Sequence, residues 1–202
     1  MHVKSTLLPA HLNLLLFSTQ PPNGVEKMTA YLTQQAIERF AAALQADKYN
    51  VRLLNPETDE ARAFPYTPAQ LTSPKTVAFL RLQNRLGFNV YARPVGWQYV
   101  LLDDLTRPAL ADLKTDDVRP CLLIETSPDN FQAWVILPDV PADRAEAKAI
   151  ICRSGAEAYR ADPASAEPDH VGRLPGFTNR KPTYRQRVFS FRWTAPRRIP
   201  AG

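Results

Sequence analysis

Between residues 29 and 46, apolar side chains return at Leu32, Ala36, Ile37, Phe40 and Leu44, the spacing of one buried helix face. The period then changes. YNVRLL (49–54) alternates as a half-buried strand. Ser73 followed by Pro74 supplies an N-cap and a first-turn proline, and Gly87 supplies a stop, so residues 74–86 are predicted to be helical. NVYAR (89–93) and WQYVLLD (97–103) predict two strands joined by a turn around Pro94 to Gly96, and Thr106 with Pro108 opens another short helix. CLLIETS (121–127) and FQAWVIL (131–137) flank PDN and predict a hairpin turning at Ser127 to Asn130. Residues 142–158 have helical spacing, and RVFSFRW (187–193) alternates as a last strand. Interspersed helices and short alternating strands predict an α+β fold, a mostly antiparallel sheet with helices packed on it.

Domain organisation follows from where the pattern is absent. Residues 1–27 show no sustained period and end in the linker-like STQPPNG, so a coherent domain is expected from about Met28, the expected true start or the end of a loosely attached extension. It runs to residue 193, with a basic tail over 194–202. A length of 202 residues suits one domain, and 45% hydrophobic with 22% charged residues excludes a disordered or membrane-embedded chain. HLNLLLFST (11–19) is too short to span a bilayer and has no basic start, so we expect a cytoplasmic protein. Cys121 and Cys152 are too few for a disulfide framework or a zinc site and are expected to be buried thiols.

Charge sharpens the picture because it is segregated. Residues 171–202 hold Arg173, Arg180, Lys181, Arg185, Arg187, Arg192, Arg197 and Arg198 and no acid, so the net +5 conceals an acidic remainder of 17 basic against 20 acidic residues. Such segregation predicts a surface for polyanions, nucleic acid or a nucleoside triphosphate. Within it, DHVGRLPGFTNRKP (169–182) sets cations among turn formers, which predicts an ordered loop or kinked strand.

The opposite charge is concentrated in YVLLDDL, an apolar run ending in Asp103 and Asp104. Neighbouring carboxylates at the end of a core strand suggest a metal ion, yet alternation directs them to opposite faces unless the strand ends or bulges there. One of them could instead cap the helix near Thr106. Asp162, before Pro163, reads as a turn aspartate or a third acid. His170, the sole histidine after Met28, could be structural, a phosphate donor or an acid-base group. Neither G-x-S-x-G nor a P-loop is present, and Cys152 lies on an apolar helix face rather than beside a base.

Taken together, VLLDDL, IETSPDNFQAW, ADPASAEPDH and GRLPGFTNRK, in this order and spacing over residues 74–182, resemble the catalytic domain of RepB-type plasmid primases of the archaeo-eukaryotic primase superfamily. The resemblance implies an RRM-like core and a DNA primase or primase-polymerase that makes primers on single-stranded DNA from nucleoside triphosphates, for plasmid or mobile-element replication. It implies that Asp103, Asp104 and Asp162 bind Mg²⁺ or Mn²⁺ and that His170 stands beside the nucleotide. Arg173, Asn179, Arg180 and Lys181, with Gln132 and Ser127, are then the nucleotide and phosphate contacts. Gln132 stands where many of the wider superfamily have histidine; it can donate a hydrogen bond but carries no charge. The plasmid primases carry a further helical region for template recognition, for which this chain has no room, so a helicase, a relaxase or a separate helical protein is the expected supplier. The alternative from another class is a noncatalytic single-strand-binding replication module, using the aromatic and basic residues of the last strand for stacking and phosphate contact.

Overall fold

The computed structural model describes residues 24–184 and 191–192. The N-terminal extension up to residue 23, most of the expected last strand and the basic tail lie outside the described residues.

Helix α1 (Gly24–Leu44) buries Ala36, Ile37, Phe40 and Leu44, as the spacing predicts, but leaves Leu32, expected on the same face, exposed, and it begins upstream of Met28. Strands β1 (Tyr49–Leu54) and β2 (Ala61–Tyr66) follow, then the single-turn α2 (Pro68–Leu71) and α3 (Pro74–Arg85), whose N-cap Ser73 accepts from the Thr76 N–H. Next come β3 (Asn89–Pro94), β4 (Tyr99–Leu105) and α4 (Arg107–Thr115). The hairpin β5 (Leu122–Ser127) and β6 (Asn130–Ile136) leads to α5 (Arg144–Ile151), which runs on into a wider turn of π type at Cys152–Glu157. Two-residue strands β7 (Gly172–Arg173) and β8 (Phe191–Arg192) complete the order.

The fold is α+β with antiparallel pairing throughout, and the strands divide into two four-stranded sheets, β2-β1-β3-β7 and β4-β6-β5-β8. Strands β3 and β4 are consecutive but do not pair with each other. Pro94 ends β3, and Gly96 (φ 138°) turns the chain into the second sheet. The buried Arg93 guanidinium holds this corner, donating to the Tyr99 carbonyl at 2.8 Å. Strand β2 has no alternating pattern to announce it; Pro65 is tolerated because β2 is an edge strand.

The two sheets differ in what covers them. In β1, Tyr49, Val51 and Leu53 are buried while Asn50 and Arg52 are exposed. In the second sheet both faces are buried. Leu101, Leu122, Ile124 and Trp134 join Tyr49, Val51 and Val90 in a core roofed by α1 and α3. Val100, Leu102, Phe131 and Ala133 join a second core with Leu113 of α4 and Ile151 of α5. Double coverage explains why YVLL (99–102) and AWV (133–135) are unbroken apolar stretches, whereas YNVRLL alternates.

Candidate active site

Alternation along β4 sends Val100 and Leu102 to the helix side and Leu101 to the shared core, so Asp103 emerges on the side facing the first sheet. Asp104 would then point back toward the helices. It does not, because the register slips there: Leu102 pairs with Ala133 and Leu105 with Phe131, which leaves one extra residue on β4. Asp104 takes up that residue with φ 54°, a left-handed conformation that aspartate tolerates better than most residues, and Leu105 returns to the core. The bulge brings both carboxylates to one cavity. The capping role belongs to Thr106, whose hydroxyl accepts from the Ala109 N–H, and not to either aspartate.

The cavity measures about 510 Å³, with the two sheets as its walls. From the second sheet come Asp103, Asp104, Ser127, Asn130 and Gln132; from the first come Arg52, Tyr91 and Arg173. Asp162 and His170 enter from the connecting loop, and Asn179 and Lys181 from the loop after β7. Nine of the ten residues expected at the site therefore line it: Asp103, Asp104, Asp162, His170, Arg173, Asn179, Lys181, Gln132 and Ser127. Arg180 is the exception. Its backbone N–H donates to Asn89 at 2.8 Å, but its side chain is not among the cavity's lining groups.

Asp103 is the hub of the acidic wall. It accepts from Gln132 Nε2 at 2.9 Å and from the Asp104 N–H at 2.8 Å, and His170 Nε2 stands 3.3 Å from its other oxygen. Burial acts to raise the Asp103 carboxyl, but hydrogen bonds from His170, Gln132 and the Asp104 N–H, with the charge of His170, outweigh it and hold the group below the usual carboxylate range. Asp104 is exposed and accepts from Asn130 Nδ2 at 2.9 Å. The Asp162 N–H donates to the Asp103 carbonyl at 3.1 Å. Its carboxylate accepts from the Ala164 N–H and the Ser165 hydroxyl, so it is at once a turn aspartate and a cavity residue.

The basic wall is fixed by side-chain amides. Arg173 is buried, donates from NH1 to Asn89 Oδ1 at 2.8 Å and lies with its guanidinium carbon 5.0 Å from the centre of the Tyr91 ring. Its backbone N–H donates to Gln132 Oε1 at 2.8 Å. Gln132 thus joins Asp103 to the strand that carries Arg173, with both ends of its carboxamide engaged by protein. Asn179 accepts from the Lys181 N–H and donates to the Thr126 carbonyl, shaping the loop from inside. His170 is held through its carbonyl, which accepts from Arg93 NH1 at 2.9 Å. Burial pulls the Arg93 guanidinium down to about 10, against the opposing effect of Asp169.

Nothing in the hydrophobic pattern marks Asn89, Tyr91, Arg52 or Asn130 as site residues. Register alone brings Arg52 opposite Tyr91 and Tyr91 opposite Arg173.

Carboxylate oxygens are hard donors suited to Mg²⁺ or Mn²⁺. Among the described residues, no three His, Cys, Asp or Glu side chains form a ready-made metal cluster. Mg²⁺ usually takes one or two carboxylates and completes its shell with water and substrate phosphates. The neighbouring pair Asp103 and Asp104, one exposed to the cavity mouth, fits an ion held in that way.

Comparison with known proteins agrees with this architecture. The chain is 35% identical to the catalytic domain of primase RepB′ crystallised in complex with initiator DNA, with a TM-score of 0.72 over 79% of this chain and 84% of that one. The primase-polymerase domain of cyanophage S-2L is 17% identical with a TM-score of 0.59, covering 81% of this chain and 90% of that one, a likeness of fold. Mobilization protein A of Escherichia coli is 36% identical over 159 residues, 77% of this chain and 22% of that protein. A DNA primase of Acidithiobacillus ferrooxidans is 26% identical over 167 residues, 76% of this chain and 47% of that protein. The chain therefore spans less than half the length of either curated relative. Residues 66–191 match the family model of the RepB DNA-primase N-terminal domain, and the chain belongs to that family.

Proposed function

We propose that this domain is a metal-dependent nucleotidyltransferase that synthesises primers on single-stranded DNA during plasmid or mobile-element replication. One observation carries the reading: the carboxylates of the β4 bulge and the cations of the β7 loop face each other across one cavity. DNA binding by the RepB′ catalytic domain supports the choice of template.

In this reading Asp103 and Asp104 would hold Mg²⁺ or Mn²⁺, with Asp162 as the third acid on the same cavity. A divalent ion bound there would supply Lewis-acid chemistry, lowering the pKa of a 3′-hydroxyl and offsetting phosphate charge. Arg173 and Lys181 bind triphosphate oxygens through charge-assisted hydrogen bonds, which aligns the α-phosphorus with the hydroxyl. The 3′-hydroxyl gives up its proton to solvent as its oxygen bonds to that phosphorus, the bond to the bridging oxygen breaks, and pyrophosphate leaves with its charge met by the basic wall. His170, oriented by Asp103 and by the Arg93 hold on its carbonyl, is the phosphate donor next to the acids.

Incubation with single-stranded DNA, labelled nucleotides and Mg²⁺ or Mn²⁺ tests the reading. Asp104→Ala should lower product formation by on the order of a hundred-fold or more. Its thermal midpoint should fall only slightly, because Asp104 is exposed although its left-handed φ suits alanine less well than aspartate. Equal product from both proteins would remove the metal role of Asp104. Single-strand binding without product from either would turn the assignment to a replication accessory module.

A further inference from the structure

Asn89 lies at the start of β3, 1% exposed, where a carboxamide is an unusual occupant of a strand otherwise rich in apolar and aromatic groups. Its Oδ1 accepts two hydrogen bonds at 2.8 Å, one from Arg173 NH1 and one from the Arg180 N–H. A single neutral oxygen thereby fixes a side chain of β7 and the backbone of the following loop. Its Nδ2 has no hydrogen-bond partner. A buried orphan donor is costly, and an aspartate of the same shape would lack it, offering acceptors and no donor.

We propose that Asn89 is the positioning residue of the basic wall: it orients the Arg173 guanidinium toward the cavity without adding a negative charge beside it. Arg173 faces two demands, to stay in place inside the protein and to present positive charge to phosphate. An aspartate at position 89 would meet the first and work against the second, because a carboxylate 2.8 Å from the guanidinium competes with the ligand for its charge. A neutral carboxamide meets both, and the orphan Nδ2 is the cost of that neutrality. Asn89 itself is absent from the cavity lining, so it acts through Arg173. The inference rests on the reading of Arg173 as a phosphate ligand.

The test uses the full 202-residue chain and the manganese complex of a nucleoside triphosphate, with binding measured by calorimetry. Asn89→Asp should weaken binding by about ten-fold, the loss expected when one charge-assisted contact is compromised. The thermal midpoint should stay level or rise. Apparent KM for the nucleotide should increase more than kcat falls. In an Arg173→Gln background, Asn89→Asp should cause no further loss. Binding by Asn89→Asp equal to wild type overturns the proposal, as does an undiminished effect of Asn89→Asp in the Arg173→Gln background. Should Asn89→Asp fail to fold, nitrogen NMR of the wild-type arginine side chains decides: one guanidinium, lost in Arg173→Gln, should rotate slowly without ligand, and free rotation defeats the proposal. Failure of the phosphate-ligand reading looks different: wild type and Arg173→Gln would then bind the triphosphate equally, or neither would bind.

Discussion

The two walls of the cavity are built by different means. The acidic wall is local: Asp103 and Asp104 are consecutive, and a one-residue slip in β4 turns both toward the cavity. The basic wall is assembled from distant sequence, because Arg173 reaches the site through a two-residue strand that pairs with β3 some eighty positions earlier. The acid-bearing sheet is packed on both faces, whereas the base-bearing sheet leaves one face to the cavity and solvent. The carboxylates therefore sit on a rigid, doubly covered support and the cations on a sheet with one open face.

The strongest way to break this contrast is Gly172→Ala. A Cβ at that position would meet Trp134 Cζ2 at 2.8 Å, and the indole, fully buried, has no room to withdraw. Overpacking there should destabilise the chain by about 3 kcal/mol, a fall of roughly 10 °C in Tm for a domain of this size. Calorimetric melting checks it; nucleotide affinity should fall with it while the β4 acids stay in place. Next in size is Gln132→Met, which keeps the volume but cuts the link between the walls. It leaves the buried Arg173 N–H without its acceptor, a loss of about 1–3 kcal/mol. Denaturant unfolding reads that loss, and primer synthesis should fall with it.

The sequence made the local wall legible and the distant one only half so. DDL at the end of an apolar run drew attention to Asp103 and Asp104, and the need for a bulge followed from alternation alone. The loop cations stood out by composition, which is blind to direction. Arg180 and Lys181 are neighbours in sequence, yet only Lys181 lines the cavity, since Asn89 takes the Arg180 N–H and the loop turns between them. Asn89 could not be recognised, because its role depends on contacts 84 and 91 residues away. The division into two sheets was also hidden, since the turn after Pro94 reads equally well as a hairpin.

A smaller effect probes the core that both sheets share. Burial pushes the Cys121 thiol up to about 12 from an ordinary 9.0, against a lowering backbone hydrogen bond, and it likewise raises Tyr49 to about 12. Between those values the unfolded chain has released protons that the folded chain retains, so stability falls as pH rises. The slope approaches about 1.4 kcal/mol per pH unit for each group. Cys121→Ala should flatten the limb that begins near pH 9, measured by urea unfolding at pH 8 and pH 10. An unchanged slope would mean that the shared core opens before those groups ionise.

The ladder of β7 on β3 is two residue pairs long, extended by one backbone hydrogen bond from the Leu174 N–H to the Val90 carbonyl. So short a seam has a low free energy of opening compared with the doubly packed strands beside it. Amide exchange should therefore reach Gly172 and Arg173 well before Leu101 or Trp134, and warming should disable nucleotide capture several degrees below the point at which the remainder melts.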